Sequence, residues 1–234
     1  MGLLDVIGPV MIGPSSSHTA GACRLALLAR HLRLTPPDSV TFTLHGSFAK
    51  TAHGHGTELA LIAGMLDLRP DDPRLQDAPE LARRAGLDVT FESADLGDVH
   101  PNTVRIVSSG GATDVAGEPP ERISLTGSSV GGGMVRVFEV DGFGIDFSGG
   151  SHTLLVRHDD HPGVIARVAR VIADDESNIA TLHSARRRRG GEAMMSVEMD
   201  KRLSQIALDY LTYLPYVTWV RMMPEVLSGE GVPS

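Results

Sequence analysis

Between Ser17 and Leu32 the apolar positions Ala22, Leu25, Leu28, Ala29 and Leu32 recur at intervals of three and four, which predicts an amphipathic helix. Pro14 and the serines after it suit its N-terminus. Val40, Phe42 and Leu44 then alternate with polar residues, a half-buried strand that ends at His45-Gly46. The turn Gly54-His55-Gly56 leads into a helix from Thr57 to about Leu66, residues 69–73 form a proline-rich loop, and Pro79 opens a short helix to Ala85. Beyond that point alternation dominates, at Leu87, Val89 and Phe91, at Val104 and Ile106, at Ile123 and Leu125, and at Met134 to Phe138. These are antiparallel strand candidates joined by glycine-rich turns, so the first part of the chain is a mixed α/β sheet domain partly covered by helices.

The glycine-rich run Gly142 to Gly150 interrupts this pattern, and a new one starts after it: strand 152–157, helix 162–173, a hairpin of 179–186 with 192–199, helix 203–214 and strand 217–222. The order is the ferredoxin-like βαββαβ unit. The expected organisation is therefore α+β, with one domain over residues 1–150 and a second over 151–234.

Composition narrows the chemistry. At 234 residues and 41% hydrophobic content the chain can bury two cores, and its net charge of −8 gives no general attraction to nucleic acid or anionic lipid. No apolar run approaches the roughly 20 residues that span a bilayer, and no export signal is visible, so a cytoplasmic protein is expected. The single cysteine, Cys23, excludes an internal disulfide and an iron-sulfur cluster held by this chain alone, because a cluster takes about four thiolates.

Two clusters carry candidate chemistry. Ser15, Ser16, Ser17, His18 and Thr19 gather hydroxyls and an imidazole at a helix start, where free N–H groups favour an anion such as a carboxylate; an over-decorated N-cap is the plainer alternative. The segment from His45 through Ser47 to His53, His55 and Thr57 supplies imidazoles poised to move protons near neutral pH. Glycines on both sides of His55 suit close approach to a ligand, whereas His45 reads as a strand-end histidine bonded to backbone. The flanking glycines offer no rigid face for a metal, so no metal ligand is assigned. His100-Pro101-Asn102-Thr103 and Gly127 to Gly133 read as turns with further backbone donors, the run Arg186 to Arg189 as a charged turn, and the G-x-S-x-G elbow of a serine hydrolase is absent.

Together, the run from Val6 to Gly21, His45 to Thr51, Gly54 to Thr57, His100 to Thr103 and Gly131 to Gly133 resemble, in order along nearly the whole chain, the beta subunit of bacterial iron-sulfur L-serine dehydratase. The chain departs from that pattern at Ala52-His53 and Glu58. The resemblance implies an L-serine ammonia-lyase of amino-acid catabolism and gluconeogenesis, converting L-serine to pyruvate and ammonia. It also implies a four-iron four-sulfur cluster held by cysteines of a partner alpha subunit, and activity only with that subunit. It carries His55 as the catalytic base with His18 as its alternative, and Ser15, Ser16, Ser17, Thr19, Ser47 and Thr57 as substrate contacts. The second domain resembles ACT modules, which implies homodimerisation and an amino-acid effector at Asp160, His161, Gly163 and Asn178. A non-catalytic serine-sensing subunit is the alternative reading, since similar pairings end some phosphoglycerate dehydrogenases.

Overall fold

The serines that precede the first helix do not simply cap it. In the computed structural model, which describes residues 11–13, 15–51, 56–110 and 122–227, Ser16–Gly21 form a π-helical turn that runs directly into α1, Ala22–His31. A one-turn π insertion widens the helix start and re-aims its side chains. The first sheet comprises β1 (Ser39–Leu44), β2 (Asp88–Ser93), β3 (Thr103–Ser109), β4 (Arg122–Gly131), β5 (Met134–Val140) and β6 (Phe143–Phe147), in the order β2-β1-β3-β4-β5-β6. The alternating residues Val40, Phe42 and Leu44 of β1 and Val104 and Ile106 of β3 are buried as the period of two requires.

Three features depart from the sequence reading. A short helix, α2 (Gly46–Thr51), follows β1 directly. β2 pairs with β1 in parallel rather than antiparallel, in the register Phe42 to Phe91, while β3 pairs with β1 antiparallel. The intervening chain, α3 (Thr57–Met65) and α4 (Ala78–Ala85), supplies the crossover that a parallel pair needs. Finally, the glycine-rich run holds β6. Alternate residues of β6, Phe143, Ile145 and Phe147, are buried, a strand signal that the glycines around it obscured.

α3 is apolar on nearly every side and packs on α1, with Gly64 so close that a Cβ there would lie 2.3 Å from the Cys23 carbonyl. Cys23 is fully buried in this seam and its Sγ donates to the Leu68 carbonyl at 3.2 Å. Burial pushes the thiol up to about 12. An unfolded thiol ionises near about 8.5, so the stability this group contributes is fully present below that pH and is lost as pH rises toward 12. The expected result is a steeper fall in the urea midpoint between about pH 9 and 11 for wild type than for Cys23→Ala. Thiol reagents are expected to label Cys23 only after unfolding.

Contacts divide the chain into two compact units: residues up to Val137 together with those from Val226 on, and Phe138–Glu225. β6 thus belongs with the second unit. That unit holds β7 (His152–Asp159), α5 (Val164–Asp174), β8 (Ile179–Arg186), β9 (Glu192–Met199), α6 (Gln205–Thr212) and β10 (Val217–Met223). Its sheet order β10-β7-β9-β8, antiparallel throughout, is the ferredoxin-like arrangement that the sequence order predicted. One face buries Leu154, Val156, Met195 and Val197 against Val168 and Leu211 of the two helices. Side chains of opposite parity on β9 meet β6: Ser196 Oγ donates to the Asp146 carbonyl at 2.9 Å, and Glu198 accepts from the Ser148 N–H and hydroxyl at 2.9 and 2.7 Å. No helix among the described residues is long and apolar enough to cross a membrane.

Candidate active site

The π turn holds His18 between two serines from different parts of the chain. Ser15, extended at φ −140°, accepts the His18 backbone N–H at 3.2 Å, and its Oγ lies 3.3 Å from Nδ1 of the same ring. The other ring nitrogen, Nε2, is 3.1 Å from Ser47 Oγ, and the edge of the ring meets Phe48 at 5.4 Å. Both nitrogens therefore face hydroxyls, which can donate or accept, so either tautomer is accommodated.

Ser47 is placed by a third segment. The Pro101 carbonyl accepts the N–H groups of Ser47 at 2.7 Å and Phe48 at 3.4 Å, capping α2 from outside. The chain turns from β1 into α2 at Gly46, with φ +57°, and a Cβ at Gly46 would lie 2.6 Å from the Pro101 oxygen. Only glycine meets both demands. The neighbouring carbonyls of this segment are used in the same way: Asn102 accepts from Ser129 at 2.9 Å and Thr103 accepts from His45 at 3.0 Å. The Thr103 hydroxyl donates to the His100 carbonyl at 2.6 Å and lies 2.6 Å from Ser128 Oγ. Segments 15–21, 45–48, 100–103 and 127–129 thus converge where β1 and β4 end and β3 begins. What read as a turn at His100-Pro101-Asn102-Thr103 is the hub of this end of the sheet.

Of the residues expected to act, Ser15, His18 and Ser47 are brought together. Ser16 and Ser17 are half-buried in the π turn and Thr19 is buried beneath it, so close to Gly13 that a Cβ there would meet Thr19 Oγ1 at 2.6 Å. Thr57 begins α3 after Gly56, φ +72°, and its hydroxyl is fully buried without a hydrogen-bond partner among the described residues. His55 and His53 lie outside the described residues. His45 accepts the Leu96 N–H on Nδ1 at 3.1 Å, 3.6 Å from the Asp95 carboxylate, which ties it to the end of β2 as a strand-end histidine. Ser129 was missed: its hydroxyl is buried, unpartnered, and pressed on Gly21. Its signal in the sequence was the pair Ser128-Ser129 at the end of an alternating strand, but nothing there pointed to Gly21.

Among the described residues no group of three or more histidine, cysteine or carboxylate side chains could hold a metal ion. Cys23, buried and protonated, does not fit a cluster ligand.

In the second unit, Asp160 accepts from Gly190 N–H at 2.9 Å and Arg186 at 3.0 Å, and these two donors, the backbone one foremost, hold its carboxyl below the usual range. The carboxylate pins the loop after β7 to the β8–β9 hairpin. Arg186 in the arginine run is therefore an ion-pair partner, and Arg187 lies over the Phe143 ring at 4.3 Å. His161 stacks on Tyr216 at 5.8 Å. Gly163, φ +90°, opens α5 with no side-chain cap, the Val164 N–H donates to the His161 carbonyl at 3.4 Å, and the Asn178 carbonyl accepts the Asp200 N–H just before β8. His158, at the β7 end of the same loop, is buried, with Nδ1 2.7 Å from the Asp159 carbonyl and Nε2 without a hydrogen-bond partner among the described residues.

A family model described as serine dehydratase beta chain matches residues 4–95, and an ACT domain model matches residues 152–209. A Bacillus subtilis protein named probable L-serine dehydratase, beta chain, is 42% identical over 218 residues, covering 93% of this chain and 96% of its own. The L-serine dehydratase beta chain of Peptoniphilus asaccharolyticus is 40% identical over 202 residues, 86% of this chain and 88% of its own. A D-3-phosphoglycerate dehydrogenase of Bacillus subtilis is 26% identical over 203 residues, 86% of this chain but 37% of its own.

Proposed function

Because the chain belongs to the L-serine dehydratase beta-chain family and ends in an ACT domain, we propose that it is half of a split L-serine ammonia-lyase, active in the cytoplasm with an alpha chain. The observation that carries this reading is the convergence of Ser15, His18 and Ser47 with the Pro101–Thr103 hub at one end of the sheet. The four-iron four-sulfur cluster belongs to the cysteines of the alpha chain, since the one thiol here is buried and protonated; when bound there it supplies a Lewis acid for the serine hydroxyl.

The residues of this chain handle the substrate and its proton. A histidine, His55 or His18, takes the α-proton of L-serine. Loss of the β-hydroxyl then leaves aminoacrylate, which tautomerises and is hydrolysed to pyruvate and ammonia. With Ser15 and Ser47 on its two nitrogens, His18 can pass a proton in either direction without leaving its place. Ser16 and Ser17 provide hydroxyls for the rest of the substrate, and Thr19 and Thr57, buried behind them, shape the site. In the second unit, Asp160, His161 and Gly163 of the loop after β7, with Asn178 just before β8, form the effector site. β8, the exposed outer strand of its sheet, offers an unpaired edge to a second copy.

The test is anaerobic pyruvate formation from L-serine by this chain alone and after mixing with a reconstituted cysteine-rich alpha chain. Activity is expected only in the mixture. A second reading, serine sensing without chemistry, draws on the 26% identity to the dehydrogenase, whose matched part is 37% of its length. A mixture that binds L-serine and makes no pyruvate would move the assignment to that reading.

A further inference from the structure

Arg24 lies in the first turn of α1 and is only 7% exposed. Its Nη1 donates to the Gly133 carbonyl at 2.7 Å. Gly133 belongs to the two-residue turn joining β4 to β5, where Gly132 and Gly133 have φ +60° and +77°, the positive values a tight hairpin turn takes at both central positions. This carbonyl is the one hydrogen-bond partner of the guanidinium among the described residues, the Asp71 carboxylate acts on it only at longer range, and Nε is buried with no hydrogen bond. Burial draws its pKa below the usual arginine value. A carbonyl dipole does not neutralise a full charge, and a buried cation is ordinarily met by a carboxylate.

The charge stands at the end of the sheet already described. β4 reaches the hairpin turn after passing Ser129, whose N–H goes to Asn102 and whose hydroxyl presses on Gly21 in the turn that carries His18. Nη2 is neither bonded nor among the sealed, unpartnered atoms, so it is the edge of the guanidinium that a ligand can reach.

We infer that Arg24 is the cation that receives the carboxylate of the substrate, with Nη2 as the donor and Gly133 holding the guanidinium in place. The inference deepens the reading of this site as one for L-serine and rests on it. A charge-assisted bond of this kind discriminates a carboxylate from a neutral isostere, and L-serinamide is that isostere.

The experiment is calorimetric titration of the two-chain complex before cluster reconstitution, so that L-serine is bound and not consumed, with L-serine and L-serinamide, for wild type, Arg24→Gln and Arg24→Lys. Arg24→Gln is expected to weaken L-serine by about 10- to 100-fold, leave L-serinamide within about twofold, and so abolish the preference. Arg24→Lys keeps the charge and retains part of it. Equal affinity of wild type for the two ligands, or equal weakening of both in Arg24→Gln, overturns the inference. Early melting of both variants with loss of both ligands makes Arg24 a brace for the hairpin and overturns it as well. Pyruvate formation is read separately. A complex that prefers L-serine through Arg24 yet makes no pyruvate defeats the dehydratase reading alone, whereas turnover with an unchanged KM in Arg24→Gln defeats the inference alone.

Discussion

Replacing His18 with alanine is expected to lower L-serine turnover by the two-chain complex by about 10²- to 10⁴-fold, with the melting temperature moved by only a few degrees. The small stability cost follows from the ring's position: it is half-buried and bonded to two hydroxyls, Ser15 and Ser47, that can turn to water when it is gone. The large kinetic cost follows if the ring moves or orients the α-proton. The pH dependence separates these roles. A base must be unprotonated to act, so kcat/KM rises with pH through the pKa of that base, giving an acid limb. If His18 is the base, His18→Ala removes the limb and His55→Ala keeps it. If His55 is the base, the residual activity of His18→Ala keeps the wild-type limb, and His18 is a positioning residue. Wild-type rates in His18→Ala would take the ring out of the mechanism.

Gly21→Ala is expected to destabilise the chain by about 3 kcal/mol and to lower turnover with it. A Cβ on Gly21 would stand 2.0 Å from Ser129 Oγ and 2.6 Å from its Cβ, so either the π turn or β4 must move. Neither yields easily, because Ser129 is held by its backbone bond to Asn102 and the turn runs without a break into the buried α1. Ser129→Gly removes both obstructing atoms. It costs about 1 kcal/mol alone as a glycine in a strand, but the double variant is expected to recover about 2 kcal/mol of coupling in urea unfolding. A double variant whose cost equals the sum of the two single costs would mean that the contact between Gly21 and Ser129 is looser than it stands here. Because the same turn carries His18, the double variant is also expected to regain part of the lost turnover.

The boundaries of most elements were legible. The stripe from Ala22 to Leu32, the alternation of Val40, Phe42 and Leu44, and the βαββαβ order after Gly150 all reappear within a few residues. These patterns report which side of an element faces apolar neighbours, and that is a local property. The features that escaped are non-local. α2 exists because the Pro101 carbonyl caps it across the sheet, and β6 because its side chains of one parity are covered. The parallel pairing of β2 depends on a crossover whose course no residue of β2 records.

For the candidate site the division runs along the same line. By itself the chain of residues determined the reactive groups available: hydroxyls and an imidazole at 15–19, further histidines near a glycine-rich turn, and one cysteine, too few for a cluster. It also determined two sheet-bearing parts, since periodicity and turn residues act over a few positions. Only the tertiary structure decided which of these groups meet. Ser47 reaches His18 and Ser129 presses on Gly21 because backbone carbonyls of residues 101–103 hold segments 45–48 and 127–129 beside the turn at 15–21, and Arg24 ends buried against Gly133 one turn further along the same helix. Backbone bonds carry no side-chain signature, so residues that owe their place to them are invisible until the sheet that aligns those carbonyls is assembled.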